Sequence, residues 1–283
     1  RDLDSSLVGS EMCIRDRIHA AEVVYIAVPP LFHREYVEAC VAAGTEIFCE
    51  KPLGIDLGES RSLVDLVESS GLPDGVNFVF SAAPSAVGLE DVVATGVDAE
   101  IGEIVRAELR LHFAEWPRAW HANAQWLRLR DQGGWIREVV SHFVFLAMRT
   151  LGPVRLQSSM VTYADGPDGQ LCEVDAIARL DAGNHPLLIT GTSGGVGPDV
   201  VDFTVRGSTG SRRVWDWYRL QTATDDGWAD LLGSDRARLG TDAYAAQLGA
   251  LAAMLEGEST KIATFTEALA VQEVVEAMLA HAR

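Results

Sequence analysis

From Glu22 onward the apolar positions fall into blocks with two alternating periods. Val23-Val24-Tyr25-Ile26-Ala27-Val28 is an apolar run without polar alternation, the pattern of a strand buried on both faces of a parallel sheet. Pro29-Pro30 closes it. Tyr36, Val37, Cys40 and Val41 then share one stripe of a helix, and Gly44 supplies its stop. Thr45 to Cys49 predicts a second buried strand. Asp56 and Glu59 have capping-box spacing and open a helix with Leu63, Val64 and Val67 on its apolar face, ending at Gly71. Val76 to Phe80 predicts a third strand. Strand, helix, strand, helix, strand at this spacing implies right-handed parallel crossovers and so a doubly wound sheet.

Beyond Pro84 the texture changes. A helix is expected near Gly88 to Thr95, then a partly alternating strand from Glu103 to Phe113. A Trp-rich stretch follows, from Trp116 to Gly134, and then a helix from Trp135 to Leu151. Five strands are predicted next: Val154 to Tyr163, Glu173 to Leu180, Pro186 to Thr192, Val200 to Gly207 and Ser211 to Leu220. Gly-rich turns join them, which suggests an open antiparallel sheet. Two helices close the chain. Tyr244, Leu248, Leu251 and Leu255 share a face of the first. The second starts at a Thr264/Glu267 capping box and carries a stripe of Val271, Val274, Val275 and Met278. The expected class is α/β followed by α+β: an incomplete doubly wound parallel sheet, then a domain with an open, mainly antiparallel sheet.

A chain of 283 residues with 48% hydrophobic composition can bury a substantial core. A formal charge of -18 argues against nucleic acid or an anionic membrane surface as partner, because phosphates would be repelled. The four cysteines, Cys13, Cys40, Cys49 and Cys172, form no CxxC pair and are too few for a disulfide scaffold, so a reducing cytoplasm is expected. No apolar run reaches the ~18 residues of a membrane helix. His112 and His121 have no carboxylate or thiolate at metal-ligand spacing, and no metal is expected.

Neither period organises residues 1–17. Their run SSLVGSEMCIRDR (residues 5–17) resembles a translated adapter artefact and is expected to stand outside the fold. The expected division is therefore a foreign tail over 1–17, a dinucleotide-binding remnant over 18–85, and a substrate and oligomerisation domain over 86–283.

A resemblance becomes specific in Val24 to Leu53, VYIAVPPLFHREYVEACVAAGTEIFCEKPL. Val28-Pro29, His33, Ala43-Gly44 and Glu50-Lys51-Pro52 are similar in order and spacing to the Gfo/Idh/MocA oxidoreductases, and the likeness continues through Gly102-Glu103 and Gly133 to His142. It implies an NAD- or NADP-dependent oxidoreductase acting on a sugar, polyol or similar hydroxylated small molecule, and a homo-oligomer. It implies cofactor contacts from Pro29, His33, Glu50, Lys51 and Pro52, and a cis peptide before Pro52. It also implies that the glycine-rich phosphate turn belongs to a βαβ unit upstream of Val23, so this chain is expected to lack the front half of its cofactor domain and to be inactive alone. The competing expectation is a non-catalytic ligand-binding relative of the same fold.

The chemistry can be followed from the residues. Lys51 stands at the carboxyl end of a parallel strand, where ligands bind, and an ammonium there can hold a hydroxyl and stabilise developing alkoxide. Glu138 and His142 lie four apart, on one helical face. The resemblance makes His142 the proton shuttle and the acid a substrate ligand. It also marks departures: Glu138 for Asp, Gln132 for the first family glycine, Phe145 where an Asp is common, and no Arg in Ser81-Ala82-Ala83-Pro84. Trp116, Trp120, Trp126 and Trp135 could wall a sugar ring, Trp120 and Trp135 being the substrate-contact candidates, or could be core anchors. Gly191 to Gly197 is Gly-rich after a strand, but no helix follows, so it is expected to be a hairpin turn and not a phosphate cradle.

Overall fold

The computed structural model describes residues 14–94, 100–121, 124–166 and 169–280. Two compact units divide it, one of Arg1–Phe78 with Leu248–Ala270, the other of Val79–Gln247 with Val271–Arg283. The first division falls near the expected one at residue 85, but a segment late in the chain returns to the first unit.

In the first unit β1 (Val23–Ile26), β2 (Glu46–Cys49) and β3 (Asp74–Val76) form a parallel sheet in that order. The connections are α1 (His33–Ala43) and α2 (Leu57–Ser70). Val37 and Cys40 of α1 are fully buried, and Gly44 ends it at φ 71°, its N–H donating to the Cys40 and Val41 carbonyls. At the start of α2 the Asp56 carboxylate accepts from the Glu59 N–H at 2.8 Å, while Glu59 reaches back to the Ile55 N–H. The third strand is shorter than expected. After Val76 the chain turns, and buried Phe78 and Phe80 supply the apolar run that reads as a strand. Instead β3 receives the returning segment: Val76 N–H donates to Ala263 O at 2.7 Å, and the Asp74 carboxylate accepts from the Phe265 N–H. Residues 14–19 form a helical turn with Ile18 buried, and Ile18 O accepts from the Thr45 hydroxyl. Residues 14–17, expected outside the fold, are thus helical; residues 1–13 lie outside the described residues.

The second unit begins with α3 (Pro84–Ala94), which starts four residues earlier than expected because Pro84 suits a first helical turn. Its eight-stranded sheet contains β4 (Ile104–Phe113), β5 (Val154–Tyr163), β6 (Glu173–Ala182), β7 (His185–Ser193), β8 (Val200–Gly207), β9 (Ser211–Trp215), β10 (Arg219–Thr224) and β11 (Gly227–Asp230). The order is β11-β10-β9-β8-β4-β7-β6-β5. Ala107, Leu109, Leu111 and Phe113 of β4 face the core while Arg106, Glu108 and Arg110 face out. All the pairings are antiparallel except β4 with β7. The segment Gly194 to Gly197 is therefore no hairpin turn: β4 lies between β7 and β8, and the glycines carry the chain across it. The single strand expected over Ser211 to Leu220 is two, β9 and β10, folded back at Asp216 and Trp217, both with positive φ.

The remaining helices are α4 (Ser141–Leu151), α5 (Arg236–Leu255) and α6 (Phe265–Ala280). Val271, Val274, Val275 and Met278 of α6 are buried, and its Thr264/Glu267 box closes both ways at 3.0 and 3.2 Å. In α5 the expected stripe fails: Tyr244 is 61% exposed, and Leu239, Ala243 and Gln247 are buried instead. Alanines on every side of this helix blur its apolar period.

Candidate active site

The first group of candidate residues sits at the carboxyl ends of the parallel strands. Glu50, Lys51 and Pro52 follow β2 directly, and the Lys51–Pro52 peptide is cis, as the resemblance implies. What holds this turn is His33. Its ring is fully buried, with Nε2 2.8 Å from the Val28 carbonyl and Nδ1 3.1 Å from the Leu53 carbonyl. One imidazole therefore ties the end of the Val-Pro strand to the far side of the Glu-Lys-Pro turn. That changes the expectation for His33: it cannot touch a cofactor, being wholly covered, and it acts by fixing residues that can. Lys51 is largely buried, Pro52 half-buried and Pro29 exposed. Glu50 Oε1 accepts from the Tyr25 hydroxyl and, at 2.6 Å, from the Asn77 amide. These two partners, one beside each neighbouring strand end, carry no motif and were not singled out from sequence.

The second group lies on the helix before β5. Its first turn, Ile136–Val140, is a π-turn, and Glu138 lies inside it; His142 follows in α4, 5% exposed. π-turns inside helices recur at functional sites. The entry is built by two glycines for which no other residue has room. A Cβ on Gly133 would strike the Trp126 and Leu127 carbonyls, and one on Gly134, at φ 95°, would strike the Glu173 carboxylate. Glu173, 1% exposed at the start of β6, accepts from the Ile136 N–H at 2.6 Å and so caps the helix from a distant strand. Burial pushes its carboxyl above the ordinary value, opposed by the Ile136 N–H and Arg137. Arg137, buried in the same turn, forms a two-pronged pair with Glu276 at 2.6 and 2.8 Å; burial works against its charge, and that pair outweighs it. The His142 ring stands 5.8 Å from Trp217, edge to face, with Phe80 and Phe143 against the same indole. Trp217 also escaped sequence reading, because a bulky residue at φ 72° is not an expected turn former.

The four tryptophans divide. Trp135 has no exposed surface; its indole N–H donates to Glu173 O at 3.0 Å and its ring fills the space of a Gly191 side chain. It is a core anchor, and the expectation that it contacts substrate is withdrawn. Trp116 and Trp126 are half-buried, and the Trp116 indole N–H donates to Leu127 O. Trp120 is 71% exposed and stays available. Lys51 and its neighbours belong to the first unit, Glu138, His142 and Trp120 to the second. Among the described residues no group of three His, Cys, Asp or Glu is placed to hold a metal ion, and no helix is long and apolar enough to cross a membrane.

A family model described as an oxidoreductase family with an NAD-binding Rossmann fold, GFO_IDH_MocA, matches residues 10–78. Over these residues the chain is similar to the Gfo/Idh/MocA oxidoreductases. It is 30% identical over 173 residues to the myo-inositol dehydrogenase Hyg17 of Streptomyces leeuwenhoekii, an alignment covering 59% of this chain and 50% of that protein. It is 32% identical over 117 residues to mouse (Mus musculus) trans-1,2-dihydrobenzene-1,2-diol dehydrogenase, covering 40% and 33%. The chain thus spans between about a third and a half of these two curated relatives. Among solved structures, a levoglucosan dehydrogenase in complex with NADH and levoglucosan superposes with a TM-score of 0.75 at 19% identity, covering 94% of this chain and 80% of that one. A putative myo-inositol dehydrogenase of Sinorhizobium meliloti 1021 gives 0.71 at 22%, covering 94% and 81%. At these identities the structural likeness speaks for the fold.

Proposed function

We propose that this chain belongs to the Gfo/Idh/MocA oxidoreductases and serves an NAD- or NADP-dependent oxidoreductase that moves hydride between the nicotinamide and the CH–OH carbon of a sugar, polyol or similar hydroxylated molecule. The observation that carries the reading is the Glu50-Lys51-Pro52 turn at the carboxyl end of the central parallel strand, locked by a buried imidazole. The nicotinamide end of a cofactor fits there. With Glu50 Oε1 occupied by Tyr25 and Asn77, Oε2 remains to accept from a ribose hydroxyl, flanked by Pro29, Lys51 and Pro52. A pyrophosphate cradle does not fit the described strand-to-helix turns. The turn after β1 runs through Pro29-Pro30, and the single glycine after β2 in that connection, Gly54, lies against Glu59.

The resemblance gives Lys51 the role of holding the reacting hydroxyl and steadying negative charge as its proton leaves. It gives His142 the role of proton shuttle and Glu138 that of a substrate ligand. The cofactor, when bound, accepts or donates the hydride. We further assign the cytoplasm, in keeping with the buried free thiols of Cys40, Cys49 and Cys172, and a homo-oligomer, in keeping with exposed Met160, Ile177 and Leu188 on the outer face of the large sheet. The reading is tested in an enzyme that joins this segment to a phosphate-binding unit, by following nicotinamide absorbance with NAD and NADP across a set of polyols and sugars. Lys51→Ala is expected to cut turnover by ~10²-fold. His142→Ala should flatten the pH dependence that a proton-accepting histidine imposes on turnover. Unchanged kinetics in Lys51→Ala would remove the lysine from the mechanism.

A further inference from the structure

Buried arginines in the second unit have carboxylates: Arg137 pairs with Glu276, Arg212 with Glu100, and Arg213 with Asp202. Arg118 differs. It follows the Trp116–Pro117 peptide on the stretch leading to the Glu138 helix, and its guanidinium lies among three rings: Phe113 at 5.1 Å, Trp116 at 5.6 Å and Trp120 at 4.7 Å. Its Nε is buried without a hydrogen-bond partner. Aromatic faces attract the cation but leave that donor unused. Burial works most strongly against its charge, Asp199 and Glu138 favour that charge, and Arg236 opposes it. Asp199 lies on the β7–β8 connection with its Oδ1 taken by the Ala114 N–H.

We propose that Arg118 and Trp120 form a subsite for the carboxylate of a polyhydroxy acid, a uronate or aldonate. The carboxylate takes the guanidinium edge and the C–H face of the carbon chain or ring lies on the exposed indole. This rests on the oxidoreductase reading above and narrows its substrate from hydroxylated molecules in general to hydroxy acids. Glu138 lies within electrostatic reach of Arg118, so a molecule oriented by Glu138 can present its charged end here. A guanidinium already stripped of much of its water by three rings binds a carboxylate more strongly than a hydrated one.

The test uses the whole chain and needs no turnover. Tryptophan fluorescence is titrated with D-glucuronate, D-galacturonate and D-gluconate, each against its neutral counterpart, D-glucose, D-galactose or D-glucitol, at low and at raised salt. At least one acid is expected to bind about 10- to 100-fold more tightly than its neutral partner, the range of a charged hydrogen bond, and to weaken with salt. Arg118→Gln should abolish the preference while the response to the neutral sugar stays. Arg118→Lys, which keeps the charge and loses the fork, should retain a part of it, and decides the matter if the glutamine variant does not fold. Equal binding of acid and neutral partners, no response to any acid, or a preference that survives in Arg118→Gln overturns the proposal. Hydride transfer to a neutral polyol, read by nicotinamide absorbance, would still stand.

Discussion

The Glu50-Lys51-Pro52 turn and the Gly133-to-Ile136 helix entry solve the same problem by opposite means. Each must aim a functional side chain from the end of an element. In the first, a buried imidazole meets carbonyls 5 positions before it and 20 positions after it, inside one strand–helix–strand unit. In the second, a buried carboxylate reaches the helix from a strand 37 positions on. The first device travels with its motif and can be carried as a compact segment. The second depends on the assembly of the large sheet, and it places a charge where burial opposes it. A covered carboxylate must be compensated by the N–H it caps and the arginine beside it.

The sharpest way to break the helix entry is Gly134→Ala. It adds a Cβ at a positive φ into the Glu173 carboxylate, and a loss at or above roughly 3 kcal/mol is expected in denaturant unfolding. Wild-type stability in that variant would mean that Glu173 does not occupy the position described. Next comes Glu173→Ala, which strands the Ile136 N–H and should cost roughly 1–3 kcal/mol, whereas Glu173→Gln keeps an acceptor and should cost less. Smaller again is the pH effect of that carboxyl. Its folded value is raised by burial above the ordinary 4.5, so the folded state binds the proton more tightly. Its contribution is complete below the unfolded value and is lost as pH rises through the folded one. Thermal melts across that window should show it in wild type and not in Glu173→Gln; identical slopes would contradict it. The smallest change is expected away from both turns. Thr264→Ala removes one half of the α6 capping box and should cost ~1 kcal/mol.

The same contrast explains what could be read from the chain alone. The first two parallel strands, the Gly44 and Gly71 stops, both capping pairs and the α6 stripe are local, and period and spacing reveal them. The Glu-Lys-Pro turn was legible because its residues are contiguous. The His33 role was not, since a family motif names the residue and not the carbonyls it meets. Glu173 gave no signal, because nothing in the spacing links it to Ile136. The β9–β10 turn was hidden because Asp216 and Trp217 adopt left-handed backbone that their side chains do not favour. The crossing of Gly194 to Gly197 over β4 follows from strand order, which no local pattern encodes. Trp135 and Trp120 are chemically identical candidates separated only by burial.

The fit of Trp135 against β7 has a consequence for descent. Gly191 has no side chain because the indole takes that space. Neither residue can change alone: a side chain at 191 displaces the ring, and a smaller ring leaves a hole against bare backbone. Among homologues the two positions should therefore covary, an alanine at 191 travelling with a smaller residue at 135. Lineages that keep this tryptophan are held to glycine in the middle of a strand.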